Sequence, residues 1–278
     1  MTNSEGYLTI AFGEKYNKMA EALRDTLKAN GDKRELFIVN EDVIDTSDPM
    51  WKDCKVNNEK YNCYPKITLN RYLPFKHNLF LDADMLCLSN TDHVWKYFKN
   101  QSQFIQHLGL PKNDKTFRQL WGGGKGRGLP DKEIKKVHGF QVPRIHGALT
   151  YLNKETLDPD FFKWMHEEMW WNYKKWTCGW MGRRAGKQNR SDQIMYTLAY
   201  GKFNLAPLPK FHQNFLTTLS YGRLKKRKHY KVHWRQRAHG PKSSIPIPFG
   251  HCGITRNKKH LENYHNLTAR IIKEGKLT

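Results

Sequence analysis

The stretch Leu79-Phe80-Leu81-Asp82-Ala83-Asp84-Met85-Leu86-Cys87-Leu88 decides how this chain is read. An apolar run ends in two carboxylates one residue apart and then turns apolar again. If the strand continues, Asp82 and Asp84 share a side-chain parity, and a turn at Ala83 brings both to one point at the edge of a sheet. Two carboxylates so close repel each other unless a cation sits between them. A hard divalent ion such as Mn²⁺ or Mg²⁺ suits oxygen ligands and keeps positions open for phosphate oxygens. The competing reading is a pair of solvated aspartates in a strand-to-loop turn. Apolar flanks on both sides favour the metal.

Around this stretch the chain reads as α/β. Residues 7–12 are expected to form a buried strand. Residues 15–29 place Tyr16, Met19, Leu23 and Leu27 on one helical face before Gly31, and 36–39 form a second strand. This β-α-β opening starts a parallel sheet. A helix over 60–73, closed by Pro74, leads into the strand carrying Asp82. Ligand sites in open α/β sheets are built at such strand ends. Further on, the sequence predicts Asp92 as the cap of a helix over 93–99, a strand over 103–108 and a strand over 144–153 that contains Gly147. It also predicts a helix from Asp158-Pro159 to about residue 176, a helix over 192–200 capped by Ser191 and stopped by Gly201, and a terminal helix over 260–276. We expect one domain over 1–278, with a basic, Gly-rich insertion at 109–143 and a basic flap at 222–242.

The 278 residues include 48 Lys and Arg against 26 Asp and Glu, a net charge of +22, with a mean hydropathy of −0.82. Such an excess in a folded protein points to a polyanionic partner, nucleic acid first, an anionic membrane or polysaccharide second. Five cysteines without a C-x-x-C pair do not make a disulfide framework and suit a reducing compartment. The N-terminus shows neither a signal peptide nor an anchor, so a cytoplasmic protein is expected, with no membrane partner. The glycines at 122–128 lack the spacing of a phosphate loop, and a basic loop is the better reading. Residues 222–242 contain nine Lys or Arg, three His and no acid, with Tyr230, Val232 and Trp234 in strand-like alternation. Lys and Arg on phosphates, with aromatic stacking, are the ordinary grip on DNA or RNA. The candidate nucleic-acid contacts are Lys125, Arg127, Arg183, Arg184, Lys225, Lys226, Arg227, Lys228, Tyr230, Trp234, Arg235 and Arg237.

The order of these elements resembles the GT-A nucleotide-sugar glycosyltransferases, and within them the glycogenin-like family 8. The resemblance rests on the opening with Tyr16, Lys66 upstream of the acidic pair, the strand His146-Gly147-Ala148, Asp192-Gln193, and His251 with Gly253 near the C-terminus. It implies a GT-A fold with a mixed central sheet flanked by helices, and a metal-dependent hexosyl or pentosyl transferase using a UDP-sugar donor. Carried over by position, it implies that Asp84 and His251 ligate Mn²⁺ or Mg²⁺, and that Asp82 ligates it or holds the donor ribose. Uridine would lie near Ala11, Phe12 and Tyr16, with Lys66, Ala83 and Gly253 also on the donor side. The family's C-terminal motif is one residue longer and carries Pro-Trp, so here the diphosphate role falls to Arg256 or Lys258. Asp192 and Gln193 would meet donor sugar and acceptor, while Asp192 equally reads as a first-turn helix carboxylate. His146 either hydrogen-bonds the sugar or is a plain strand histidine.

The resemblance also implies retention of the anomeric configuration, with a phosphate oxygen helping to deprotonate the acceptor hydroxyl. An inverting enzyme would instead need a base, for which Asp192 is the candidate. Family acceptors are usually sugars or a tyrosine, and neither explains +22. A basic chain of this kind resembles phage enzymes that glycosylate hydroxymethylated pyrimidines in DNA, which would place it in the host cytoplasm. The alternatives are a glycan or lipopolysaccharide acceptor, favoured by an amphipathic basic terminal helix, and a non-catalytic nucleic-acid-binding protein. The sugar, the modified base and the oligomeric state are not encoded in any motif.

Overall fold

The structure, a computed structural model, describes residues 4–45, 47, 64–107, 145–169, 192–203, 205, 215–218, 248–252 and 258–274. The expected opening is present as β1 (Glu5–Ile10), α1 (Gly13–Ala29) and β2 (Glu35–Val39). Next come a single helical turn α2 (Tyr64–Ile67), a 3₁₀ turn at Leu69–Tyr72, β3 (His77–Leu81) and β4 (Met85–Cys87). The chain continues through α3 (Asp92–Phe98), β5 (Gln103–His107), β6 (Ile145–Asn153), α4 (Pro159–Lys163) and α5 (Asp192–Lys202). Last are β7 (Leu216–Thr218), β8 (Phe249–His251) and α6 (Lys258–Glu274).

The architecture is α/β, with a mixed central sheet flanked by helices. Its strand order is β2-β1-β3-β6-β5, and a second sheet runs β4-β8-β7. β1 is parallel to β2 and β3, whereas β6 is antiparallel to both β3 and β5. Strand alternation sends neighbouring side chains to opposite faces. Leu8 and Phe80 therefore pack with Phe161, Phe162 and Tyr196 under α4 and α5. Tyr7, Leu79 and Leu81 pack with Leu23, Leu27, Trp95 and Phe98 on the other face. A third cluster joins Ala11, Met19 and Leu86 to Tyr264, Leu267 and Ile271 of α6, the Met, Leu and Ile burials contributing roughly 1.5–3 kcal/mol each. Near the start of β1, the Tyr7 hydroxyl donates to Asp32 Oδ2 and accepts from Trp95 Nε1 at 2.9 Å, while Arg34 bridges Asp32 and Glu5.

Several expected elements differ. The helix expected over 60–73 is, from residue 64 onward, two short turns interrupted at Thr68, whose backbone sits at φ −120°. Consecutive β-branched residues, Ile67 and Thr68, disfavour a continuous helix, and the Thr68 hydroxyl bonds the Pro65 carbonyl instead. Thr91, not Asp92, stands at the N-cap of α3, and the Asp92 carboxylate instead accepts from Asn90 Nδ2 at 3.2 Å and from Arg34 at 3.3 Å. Asp158 does cap α4, accepting from the Asp160 N–H at 2.9 Å. Beyond Lys163 the helix widens into a π-helical stretch, Trp164–Met169, which nothing in the sequence marks. α5 runs through Gly201 to Lys202, since the Phe203 N–H still donates to the Ala199 carbonyl and its ring packs on Phe161. Residues 109–143, 222–242 and Ser191 lie outside the described residues.

Candidate active site

The acidic stretch does not continue as one strand. β3 ends at Leu81, the Met85 N–H donates to the Asp82 carbonyl at 3.0 Å, and β4 leaves for the second sheet. Asp82 and Asp84 thus stand at the carboxyl end of β3, where the two sheets part, and Ala83 is buried between them. The Asp82 N–H donates to the Ala148 carbonyl of β6 at 3.0 Å, which fixes the turn to the central sheet.

His251 arrives through β-sheet register. β4 and β8 are antiparallel with Met85 opposite His251, and the Cys252 N–H donates to the Asp84 carbonyl at 3.1 Å. The imidazole Nε2 lies 3.3 Å from Asp84 Oδ1 and 3.9 Å from Asp82 Oδ2. One ligand atom from each of the three residues falls within 4.8 Å of the others. Lys66 closes the opposite side, its Nζ 2.6 Å from Asp82 Oδ1 and 3.3 Å from Asp192 Oδ2. It lies 5.7 Å from the centre of the Phe80 ring, two residues before Asp82. Asp82 therefore turns one oxygen to Lys66 and the other toward His251.

The electrostatics follow from burial and charge. Burial, and then the neighbouring Asp84 charge, push the Asp82 carboxyl above its ordinary range despite Lys66 and His251. Burial works against charge on His251, but Asp84 and then Asp82 outweigh it and raise the imidazole above its ordinary value. Burial and Asp84 hold the Cys252 thiol far above its usual range, so it stays protonated. A divalent cation fits this donor set. Two carboxylates and an imidazole converge in a site whose carboxyl charge is under-compensated, and oxygen-rich ligation suits Mn²⁺ or Mg²⁺.

Of the other candidates, Ala11 and Phe12 are buried at the end of β1, and Tyr16 on α1 is partly exposed with Lys15 over its ring at 5.4 Å. His146 lies on β6, Gln193 follows Asp192 on α5, and Lys258 opens α6. Gly253 and Arg256 lie outside the described residues. So do Lys125, Arg127, Arg183, Arg184, Lys225, Lys226, Arg227, Lys228, Tyr230, Trp234, Arg235 and Arg237. Sequence reasoning missed Tyr196, fully buried one helical turn after Asp192, whose hydroxyl donates to the Lys66 carbonyl. The i, i+4 spacing from Asp192 was its only signal. Ala148 was missed as well, because a backbone acceptor leaves no mark in a sequence.

No protein-family model matches this chain, and the search of curated proteins found no match. Among solved structures, the galactosyltransferase LgtC, in complex with donor and acceptor sugar analogues, superposes at a TM-score of 0.45 with 12% identity, over 95% of each chain. Mouse xyloside xylosyltransferase 1 gives a TM-score of 0.46 and 12% identity, over 89% of this chain and 97% of its own. The glycosyltransferase GlyE of Streptococcus pneumoniae gives 0.43 and 12%, over 98% of this chain and 63% of its own.

Proposed function

We propose that this chain is a metal-dependent glycosyltransferase that moves a sugar from a UDP-sugar to a hydroxymethylated pyrimidine base in DNA, with retention at the anomeric carbon. The observation that carries the enzymatic part is the convergence of Asp82, Asp84 and His251 within 4.8 Å, beside Lys66 and Asp192, at a strand's carboxyl end. Asp82, Asp84 and His251 would hold Mn²⁺ or Mg²⁺. The ion, when bound, supplies Lewis-acid neutralisation of the departing diphosphate.

The chain's own residues do the rest. Lys66 holds Asp82 with one oxygen turned to the ligand cluster, and the same ammonium ties Asp192 to the site from the far side. In this reading Asp192 accepts hydrogen bonds from sugar hydroxyls. Gly147, without a side chain, leaves room for a ring to approach β6. In the transfer the bond from the anomeric carbon to the β-phosphate oxygen breaks and a bond to the acceptor oxygen forms. The acceptor proton passes to the departing phosphate oxygen, so no protein base is needed. Arg256 and Lys258 complement the diphosphate charge.

Charge distribution supports a DNA acceptor. Residues 112–144, 174–190 and 223–242 carry net charges of +6, +6 and +9, so 70 residues hold +21 of the +22, and the remaining chain is close to neutral. A membrane-bound glycan acceptor would call for an exposed apolar face on a basic terminal helix. In α6 Tyr264, Leu267 and Ile271 are instead buried against α1, and among its described residues Ile272 alone is an exposed large apolar side chain, too little for an apolar face.

The test is incubation of hydroxymethylated DNA with the protein, Mn²⁺ and a panel of UDP-sugars, followed by mass spectrometry of the nucleosides. A hexose or pentose mass gain, lost in Asp84→Ala, is expected. UDP release equal in wild type and Asp84→Ala would overturn the enzymatic reading. UDP release with sugar found only on glycan acceptors would overturn the DNA reading.

A further inference from the structure

The geometry points to Tyr196 as a positioning residue that holds Lys66 against the two aspartates. The inference rests on the glycosyltransferase reading for its functional consequence, but not for its structural content. Lys66 sits in α2, a single turn of four residues, Tyr64–Ile67, that cannot hold its own backbone in place. Isolated turns of that length do not form in water, so tertiary contacts must fix the lysine. Two of those contacts come from successive turns of α5. Asp192 meets the ammonium at 3.3 Å, and Tyr196 donates its hydroxyl to the Lys66 carbonyl. One residue is thus gripped at its backbone and at its side-chain end by a single rigid helix.

The phenol is suited to this. Tyr196 is fully buried, its ring stacks with Phe161 at 6.1 Å, and Met195 and Ala199 of the same helix pack in the same core. Burial, then the Asp192 charge, keeps the phenol well above its ordinary pKa, so it remains a neutral donor to a carbonyl that only accepts. Without that hydroxyl the carbonyl loses a buried partner, and α2 is left with its core contacts, chiefly the buried Ile67, which hold the turn but not the Lys66 carbonyl itself. Lys66 then spends less time at 2.6 Å from Asp82, and Asp82 loses the contact that turns its second oxygen to the ligand cluster.

The test compares wild type, Tyr196→Phe, Lys66→Ala and the double variant, each checked for an unchanged circular dichroism spectrum. Tyr196→Phe keeps the ring and removes only the hydroxyl. With UDP-sugar and Mn²⁺ we expect kcat/KM to fall about five- to tenfold in the wild-type background and less than about twofold in the Lys66→Ala background. A second readout needs no turnover. Amine acetylation of Lys66, followed by peptide mass spectrometry, should run about five- to tenfold faster in Tyr196→Phe, with rates at Lys18 and Lys76 unchanged. Equal labelling of Lys66 in wild type and variant overturns the inference. So does an equal loss of activity in both backgrounds, or faster labelling at all three lysines, which would mark general loosening. If the wild type turns over no UDP-sugar at all, the functional reading fails while the labelling still decides the role of Tyr196.

Discussion

Replacing Asp84 by Asn separates metal binding from folding, because the two consequences differ in size. Without a cation, the protonated imidazole at 3.3 Å from Asp84 Oδ1 is attracted by about 5 kcal/mol at an effective dielectric of about 20. The Asp82 carboxylate, no more than 4.8 Å away, is repelled by at least about 3.5 kcal/mol on the same scale. Asp84→Asn removes both, so the metal-free variant should lose no more than about 1.5 kcal/mol, or about 3–6 °C for a chain of this size. With Mn²⁺ at about 100 times the wild-type Kd, linkage stabilises the wild type by about 2.7 kcal/mol, a rise of about 5–10 °C. Loss of a ligand weakens affinity at least as much as loss of a supporting residue, up to about 100-fold, which leaves the variant only about 0.4 kcal/mol. Thermal melts with and without MnCl₂, and with CaCl₂ as an ionic-strength control, read the difference. A Mn²⁺ shift of equal size in wild type and variant would refute the ligand assignment. A metal-free variant that no longer folds would refute the charge balance instead, which allows a loss of no more than about 1.5 kcal/mol.

Gly6→Ala places a Cβ 2.2–2.5 Å from three atoms of the buried Phe75 ring, an overlap that should cost about 1–3 kcal/mol in urea unfolding. Adding Phe75→Leu should recover part of that loss, and no recovery would show that the clash is not the cause. Burial holds the His77 imidazole below its ordinary value, with Nδ1 2.7 Å from the Tyr151 hydroxyl, and burial does the same to His93. The unfolded chain therefore takes up these protons first, so the stability they contribute is full above about pH 6.5 and is lost as pH falls below it. His77→Gln should flatten the fall in melting temperature between about pH 6.5 and 5, and an unchanged slope would exclude His77 as a source. If DNA is the acceptor, affinity should fall steeply between about 50 and 200 mM salt. Changing Lys225, Lys226, Arg227 and Lys228 to Gln should lower the log–log slope by about 3 to 4 and leave UDP-sugar hydrolysis unchanged. A flat salt response counts against DNA.

What could be read in the sequence was what periodicity and local chemistry encode. The β-α-β opening, the strand before Asp82, the strand through Gly147 and the Asp158 cap follow from alternation, helical spacing and a side chain that bonds its own backbone. The acidic pair was legible because a turn between apolar runs leaves two carboxylates few other places to go. His251 came only through resemblance. Its approach depends on the β4 and β8 register, a pairing across more than 160 residues that no local pattern specifies. The break at Thr68, the passage through Gly201 and the π-helical turn after Lys163 were not legible, because there tertiary packing overrides weak local preferences.

The same division explains why Lys66 was found and Tyr196 was not. Lys66, like His251, entered only through the resemblance, as a donor-side residue, and its pairing with Asp82 and Asp192 is seen only in the structure. Tyr196 acts on a backbone carbonyl 130 residues away, and on its own a buried tyrosine in a helix reads as core. Its packing is indeed core, against Phe161 and Met195, so the hydroxyl alone carries the positional role. A rigid helix anchored in that core adds a polar hold to a short turn whose apolar anchor is Ile67 in the same core. The charge of the chain lies mostly elsewhere, since residues 112–144, 174–190 and 223–242 hold +21 of the +22, so the site is organised by a few paired ionised groups rather than by the net charge.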